Sequence, residues 1–211
     1  MTAEKRDFDK LAASWDEEPR RVKLANDVCN AILKVITDPS GMDVLDFGCG
    51  TGLLTLRLQP LVRSITGVDS SQGMLDILKR KIEKQNLANV EVQNLDLEKG
   101  DVLQGTYNLI VSNMTLHHIK EIGTLLDAFF KALAPKGYLC IADLDLDGGM
   151  FHESNEGVFH FGFDRAALRQ AFIDAGFEDV RDVTAAEMTK PDAKGEMRRF
   201  TMFLTVGRKK I

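Results

Sequence analysis

The stretch VLDFGCGTGLLTLRL, Val44–Leu58, decides how the chain is read. A short apolar run ends at Phe47, glycines follow at alternate positions (Gly48, Gly50 and Gly52), and a helical pattern begins straight after them. Glycines crowded between a strand and a helix let something approach the backbone closely. Two phosphate readings fail on spacing. A P-loop needs GxxxxGK followed by Ser or Thr, and no lysine stands near Gly52. The dinucleotide fingerprint GxGxxG needs glycine at the position of Leu53. What stands here is DxGxGxG, Asp46 to Gly52, and a carboxylate in the mouth of such a loop suits a ligand carrying positive charge. A tight βα turn with no ligand is the plain alternative.

Outward from this loop, strand and helix patterns alternate. Ala25, Val28, Cys29, Ile32, Leu33 and Ile36 form a helical stripe within 22–36. Strands are expected at 43–47, 64–68, 90–94, 107–111 and 138–143, with a helix ending before Pro60 and another over about 71–85. Ile122, Leu125, Leu126, Phe129, Phe130 and Leu133 give the clearest stripe, punctuated at its end by Ala134–Gly137. Asp164 is placed to cap a helix burying Leu168, Ala171, Phe172 and Ala175, and late strands near 177–183 and 200–206 form an antiparallel edge hairpin. This alternation predicts an α/β fold, a doubly wound, seven-stranded, mostly parallel sheet with helices on both faces. One domain over 1–211 is expected, with an N-terminal helical lid at 1–36 and a Rossmann-like core at 43–211.

Bulk properties narrow the partners. With 211 residues, 27 basic and 32 acidic, the net charge is −5, which does not suggest a nucleic-acid binder; Met197–Arg199 and Gly207–Lys210 read as solvated strand ends. Cys29, Cys49 and Cys140 are far apart and form no CxxC pair, which argues for a reducing compartment. The opening MTAEKRDFDKLAASW lacks the apolar core of a secretory signal, and no run is long enough for a membrane span. A cytoplasmic location is the default expectation.

Two further carboxylates support a nucleoside ligand. Asp69 closes the second strand in TGVDSS, 23 positions after Asp46, where doubly wound sheets place the acidic residue that accepts from ribose hydroxyls. Asp96 follows the third strand on the same rim, where an adenine amino group can donate to it. The sulfonium and amino groups of S-adenosylmethionine supply the positive charge that Asp46 suits.

The order VLDFGCGTG, GVDSSQGML, NLDLE, YNLIVSNMTLHHI and LAPKGYLCIADLD resembles the class I S-adenosylmethionine-dependent methyltransferases, in the style of the ubiquinone/menaquinone-biosynthesis enzymes. The resemblance implies that Asp46, Gly48, Gly50 and Gly52 hold the methionine portion of S-adenosyl-L-methionine, with Cys49 filling the loop against the cofactor, and that Asp69 binds its ribose. Ser70 and Met74 lie in the same motif. Asp96 and Leu97 would face adenine, and Asn113 and Met114 the methionyl end. FDKLAASWDEEPRRV (Phe8–Val22) is similar to the lid helix of such enzymes, with Trp15 over the cofactor and Arg21 at its carboxylate.

Methyl transfer from a sulfonium is an in-line displacement, helped by alignment and exclusion of water. A hydroxyl or thiol acceptor also needs a base, and His117, His118 and His160 are the candidates. The histidines show no ligand spacing such as HxxxH, so no metal is expected. SNMT (Ser112–Thr115) stands where enzymes methylating DNA bases or protein glutamine carry a polar-Pro-Pro-aromatic loop, which disfavours those substrates; a small-molecule methyl acceptor is the expectation. Asp145–Phe163 is expected on the acceptor side. A non-catalytic S-adenosylmethionine-binding protein with a regulatory or assembly role is the alternative, and an NAD(P) oxidoreductase is disfavoured by Leu53 and Asp46.

Overall fold

In the computed structural model, residues 6–210 are described. The first five positions of the expected N-terminal lid, and Ile211, lie outside that range. The chain runs α1 (Phe8–Leu11), α2 (Pro19–Val35), β1 (Asp43–Phe47), α3 (Thr55–Leu58), β2 (Ser64–Asp69), α4 (Gln72–Gln85), β3 (Val90–Asn94), β4 (Tyr107–Asn113), α5 (Ile122–Ala132), β5 (Leu133–Leu144), α6 (Arg165–Asp174), β6 (Glu178–Pro191) and β7 (Met197–Arg208). The seven strands form one sheet in the order β3-β2-β1-β4-β5-β7-β6. The first five pair in parallel, and β7 runs antiparallel to both β5 and β6.

Alternation across the pleat divides the core between two layers. Val44 and Leu109 pack on one face with Leu24, Val28 and Ile32 of α2. Leu45, Phe47 and Ile110 pack on the other with Leu125, Leu126 and Phe129 of α5 and Phe172 of α6. Each such side chain, fully buried, contributes about 1.5–3 kcal/mol of transfer free energy. The edge strand β6 blunts its free side with charge, carrying Glu178, Asp179, Arg181, Asp182, Glu187 and Lys190.

Three elements differ from the sequence expectation. Only Thr55–Leu58 is α-helical after the glycine loop; the next turn, Gln59–Leu61, tightens to a 3-10 helix around Pro60. The proline and glycine of Ala134–Gly137 do not precede β5 but sit inside it as a bulge. Pairing jumps from Tyr107↔Leu133 to Leu109↔Tyr138, and Lys136 takes φ +66°. The last two strands span 14 and 12 residues, well beyond their apolar centres, because the hairpin continues past the sheet's edge toward α2. The sheet order reverses between β1 and β4, so the loops after these strands diverge and open a crevice at the carboxyl rim.

Candidate active site

The glycine loop turns out of β1 with amides of Gly48 and Cys49 both donating to the Val68 carbonyl, at 2.8 and 3.0 Å. Gly48 and Gly52 are required by close approach as well as by φ of +72° and +84°. A Cβ would sit 2.2 Å from Thr115 Oγ1 at the first and 2.3 Å from Leu78 Cδ1 at the second. Gly50 differs: its Cβ position, at φ +54°, meets nothing within 4 Å and faces the crevice. Cys49 is buried, with Sγ against the Gly50 carbonyl, and burial pushes its thiol well above the ordinary value. It fills space in the loop and is no nucleophile.

A cavity of about 830 Å³ begins at this loop and runs along the carboxyl rim. Asp46 lies on its wall, 1% exposed, with Thr55 Oγ1 donating to Oδ2 at 2.6 Å. Burial, helped by the neighbouring Asp69 charge, pushes the Asp46 carboxyl up to about 7. Asp69 accepts from the Gly50 amide and the Ser71 amide, both at 2.8 Å, so it ties the loop to the start of α4. Ser70, Met74, Leu95, Asp96 and Leu97 continue the wall beyond the second and third strands. After β4, Met114 takes φ +58°, a strained value for a side chain of this kind, and lies on the cavity with Asn113. Asn113 Oδ1 is buried and has no hydrogen-bond partner among the described residues. A ligand N–H donor is what such an orphaned acceptor requires.

The N-terminal segment closes one side. Asp9 Oδ1 accepts from Ser71 Oγ at 2.5 Å and from the Gly73 amide at 2.8 Å, pinning α1 to the start of α4. Asp16 accepts from Thr51 Oγ1 at 2.6 Å and pairs with Lys81 at 2.5 Å. Between these anchors Trp15 faces the cavity, with the Arg21 guanidinium stacked 3.8 Å from its ring centroid. Arg21 also donates to the Trp15 carbonyl at 3.0 Å.

Opposite the glycine loop, three imidazoles from two loops meet. Nδ1–H of His117 donates to Asp143 Oδ1 at 2.7 Å, and both residues are buried, at 1% and 0% exposure. Nδ1–H of His118 donates to the Gly157 carbonyl at 2.7 Å. His152 accepts from Arg6 on Nδ1 at 3.1 Å, so its hydrogen is on Nε2, directed at His117 Nε2 3.2 Å away. Burial, then the nearby His117, holds His118 down to about 3; burial with His117 and Arg6 holds His152 down to about 2. Both are neutral imidazoles at pH 7.

The cavity wall therefore gathers Trp15, Arg21, Asp46, Gly48, Cys49, Gly50, Asp69, Ser70, Met74, Asp96, Leu97, Asn113, Met114, His117 and His118. Two expected residues stand off it. Gly52 packs behind the loop on Leu78, and His160 Nε2–H is spent on the Ile119 carbonyl at 2.9 Å, its ring tilted against Phe163. Sequence reading placed His152 only within the acceptor-side segment Asp145–Phe163, and it missed Asp143, Arg6 and Lys190. The strand-end position of Asp143 in CIADLD was the one available signal, since pairing with His117 crosses 26 positions. Although the histidines lack ligand spacing in sequence, the ligand atoms of His117, His118 and His152 all lie within 4.8 Å of one another. Among the described residues no helix is long and apolar enough to cross a membrane.

Comparison with known proteins fits this geometry. A family model for the methyltransferase domain matches residues 20–182. An uncharacterised methyltransferase of Schizosaccharomyces pombe is 31% identical over 163 residues, covering 70% of this chain and 57% of the relative. A malonyl-[acyl-carrier protein] O-methyltransferase of Acetivibrio thermocellus is 29% identical, covering 81% of this chain and 56% of the relative. The chain thus spans little more than half the length of these relatives. Among solved structures, a SAM-dependent methyltransferase from Aquifex aeolicus superposes with a TM-score of 0.67 at 22% identity, covering 95% of this chain and 96% of that one. Phosphoethanolamine N-methyltransferase 2 of Haemonchus contortus, solved with S-adenosyl-L-methionine, gives 0.65 at 16% identity, covering 82% and 49%. With the family model spanning the glycine loop and all five parallel strands, the chain belongs to the methyltransferase-domain family of class I S-adenosylmethionine-dependent methyltransferases.

Proposed function

We propose that this protein transfers the methyl group of S-adenosylmethionine to a small-molecule acceptor. The observation that carries the reading is the single cavity of about 830 Å³ joining the glycine loop to the histidine cluster, large enough for a nucleoside ligand with an acceptor beside it. The donor end fits the cofactor on its own chemistry. The orphaned Asn113 Oδ1 would accept from the amino group, Asp69 from the ribose, and Asp96 with the Leu97 backbone from adenine. Asp46 and the loop glycines would face the methionine portion. Trp15 and Arg21, held by the Asp9 and Asp16 anchors, would cover it as a lid. When bound, S-adenosylmethionine supplies a methyl group on a sulfonium sulfur with a good leaving group.

The protein's part is then to align and to exclude water. Phe8, Trp15 and Phe151 surround the cavity with apolar surface, and the acceptor would lie against His117 and His118. His118 keeps its Nε2 lone pair turned away from the Gly157 bond, placed to accept a hydrogen bond from the acceptor or to hold another electron-poor partner there, while its depressed basicity makes it a poor proton acceptor. His160, off the wall, would support the Ile119 turn instead. The relatives that act on malonyl-acyl-carrier protein make oxygen acceptors the first to test. The experiment is a turnover screen over carboxylate, hydroxyl, thiol and amine acceptors, reading S-adenosylhomocysteine formed. Product above the acceptor-free rate with one acceptor class supports the reading. Tight cofactor binding with no turnover on any class would favour a non-catalytic binder.

A further inference from the structure

The histidine cluster has the construction of a metal site. Two of its three imidazoles are locked by hydrogen bonds on Nδ1, His117 to the Asp143 carboxylate and His118 to the Gly157 carbonyl, each at 2.7 Å. Such outer partners fix the tautomer that leaves Nε2 as the donor atom, and they are the usual supports of metal-bound histidine. The facing His117 and His152 Nε2 atoms are 3.2 Å apart. Two imidazole nitrogens bound tetrahedrally at about 2.0–2.1 Å would stand about 3.3 Å apart. The ligand atoms of the three residues lie within 4.8 Å of one another, which brings His118 within reach of an ion held by the facing pair.

We propose that His117, His118 and His152 bind one divalent transition-metal ion through Nε2, with Asp143 and the Gly157 carbonyl orienting two of the ligands. All-imidazole ligation suits zinc and its neighbours in the first transition row and excludes magnesium and calcium. Three protein nitrogens leave a coordination position open, and all three residues line the methyl-transfer cavity. The open position would take a heteroatom of the acceptor; that role rests on the proposed function, whereas the binding site does not. Arg6 is the competing cation. Its Nη1 donates to His152 Nδ1 at 3.1 Å, and Nε2 ligation requires that nitrogen to carry the hydrogen, so Arg6 turns away when the ion binds.

Chelator-treated protein is titrated with Zn²⁺ by calorimetry and with Co²⁺ by visible absorption. One equivalent should bind, with intense cobalt bands of low coordination number. His118→Gln and His152→Gln, both at half-buried positions, should each weaken binding at least tenfold while keeping the wild-type circular dichroism and melting temperature. Asp143→Asn should weaken it about tenfold, and Arg6→Gln should tighten it. Less than one equivalent bound by folded wild-type protein, or binding that neither histidine substitution weakens, overturns the site. Cofactor affinity, measured separately, tests the donor end and not this one.

Discussion

Thr55 donates through Oγ1 to Oδ2 of Asp46 at 2.6 Å, and with that bond a carboxylate is kept 1% exposed on the wall of the cavity. Burial raises its pKa from 3.8 to about 7. In the unfolded chain Asp46 ionises near 3.8, so between there and about 7 the ligand-free folded protein carries the extra proton. The stabilisation from this group is full below the unfolded value and is lost as pH rises through the folded one. A cationic ligand favours the ionised carboxylate, so its binding should expel a proton at pH below 7. Affinity for S-adenosylmethionine should therefore rise with pH up to about 7 and level off. Calorimetry in two buffers of different ionisation enthalpy reads the released proton directly. Asp46→Asn should abolish both effects, and a pH-independent affinity in the wild type would falsify the assignment.

The loop glycines separate by what they face. Gly52→Ala puts a methyl 2.3 Å from Leu78 Cδ1 at φ +84°, and should lower stability by about 2–4 kcal/mol. Gly50→Ala has open space and pays only the left-handed backbone cost, about 1–2 kcal/mol. Its methyl points into the cavity, so it should instead weaken S-adenosylhomocysteine binding more than tenfold. Urea unfolding and calorimetry on both variants test this. Equal effects of the two on ligand affinity would defeat the distinction.

The sheet was legible because its signals are local. Val44–Phe47, Tyr107–Val111 and the Ile122–Phe130 stripe each declare their period within a few residues, and the expected bounds of β1 and β3 match the structure. The bulge at Ala134–Gly137 was not, since proline and glycine mark a stop, a turn and a bulge alike until the register with β4 is known. That Asp46, Asp69 and Asp96 share one rim could be read from their strand-end positions for the same local reason. The histidine end could not. Its geometry depends on Asp143 reaching His117 from β5 and on His152 returning from a loop, contacts that no short spacing encodes.

All three cysteines are buried and resist ionisation. Burial pushes Cys140 up to about 12, Cys49 well above its ordinary value, and Cys29 upward as well. Native protein at pH 8 should release less than about one thiol equivalent to a disulfide reagent over minutes, and three after denaturation. Rapid native labelling at Cys49, located by mass spectrometry, would show that the loop opens without ligand.

Asp69 carries charge-assisted bonds from two backbone amides, at Gly50 and Ser71. Its loss should relax the loop and remove the acceptor proposed for the ribose. Asp69→Ala should weaken S-adenosylhomocysteine binding by about 1.5–3 kcal/mol, the range for a hydrogen bond to a charged group. Asp69→Asn retains an acceptor oxygen and should lose less. Affinity in Asp69→Ala equal to that of the wild type would remove this residue from the cofactor site.

The N-terminal segment is anchored at Asp16, whose carboxylate takes a 2.6 Å bond from Thr51 in the glycine loop and pairs with Lys81 on α4. Those contacts carry Trp15, and the Arg21 guanidinium stacked on it, over the cavity. The Asp16 and Lys81 side chains keep 34% and 24% of their surface exposed, so Asp16→Ala should cost the fold about 1 kcal/mol. What it should change is the residence of the ligand: faster dissociation of S-adenosylhomocysteine, several-fold, with association little altered. Trp15→Ala should do the same through lost apolar cover, and the double variant should add little to either, since both act through one closed segment. Stopped-flow competition with a fluorescent adenosyl analogue measures the dissociation rates. Additive effects of the two substitutions would mean that Asp16 and Trp15 act separately and that the segment does not close as a unit.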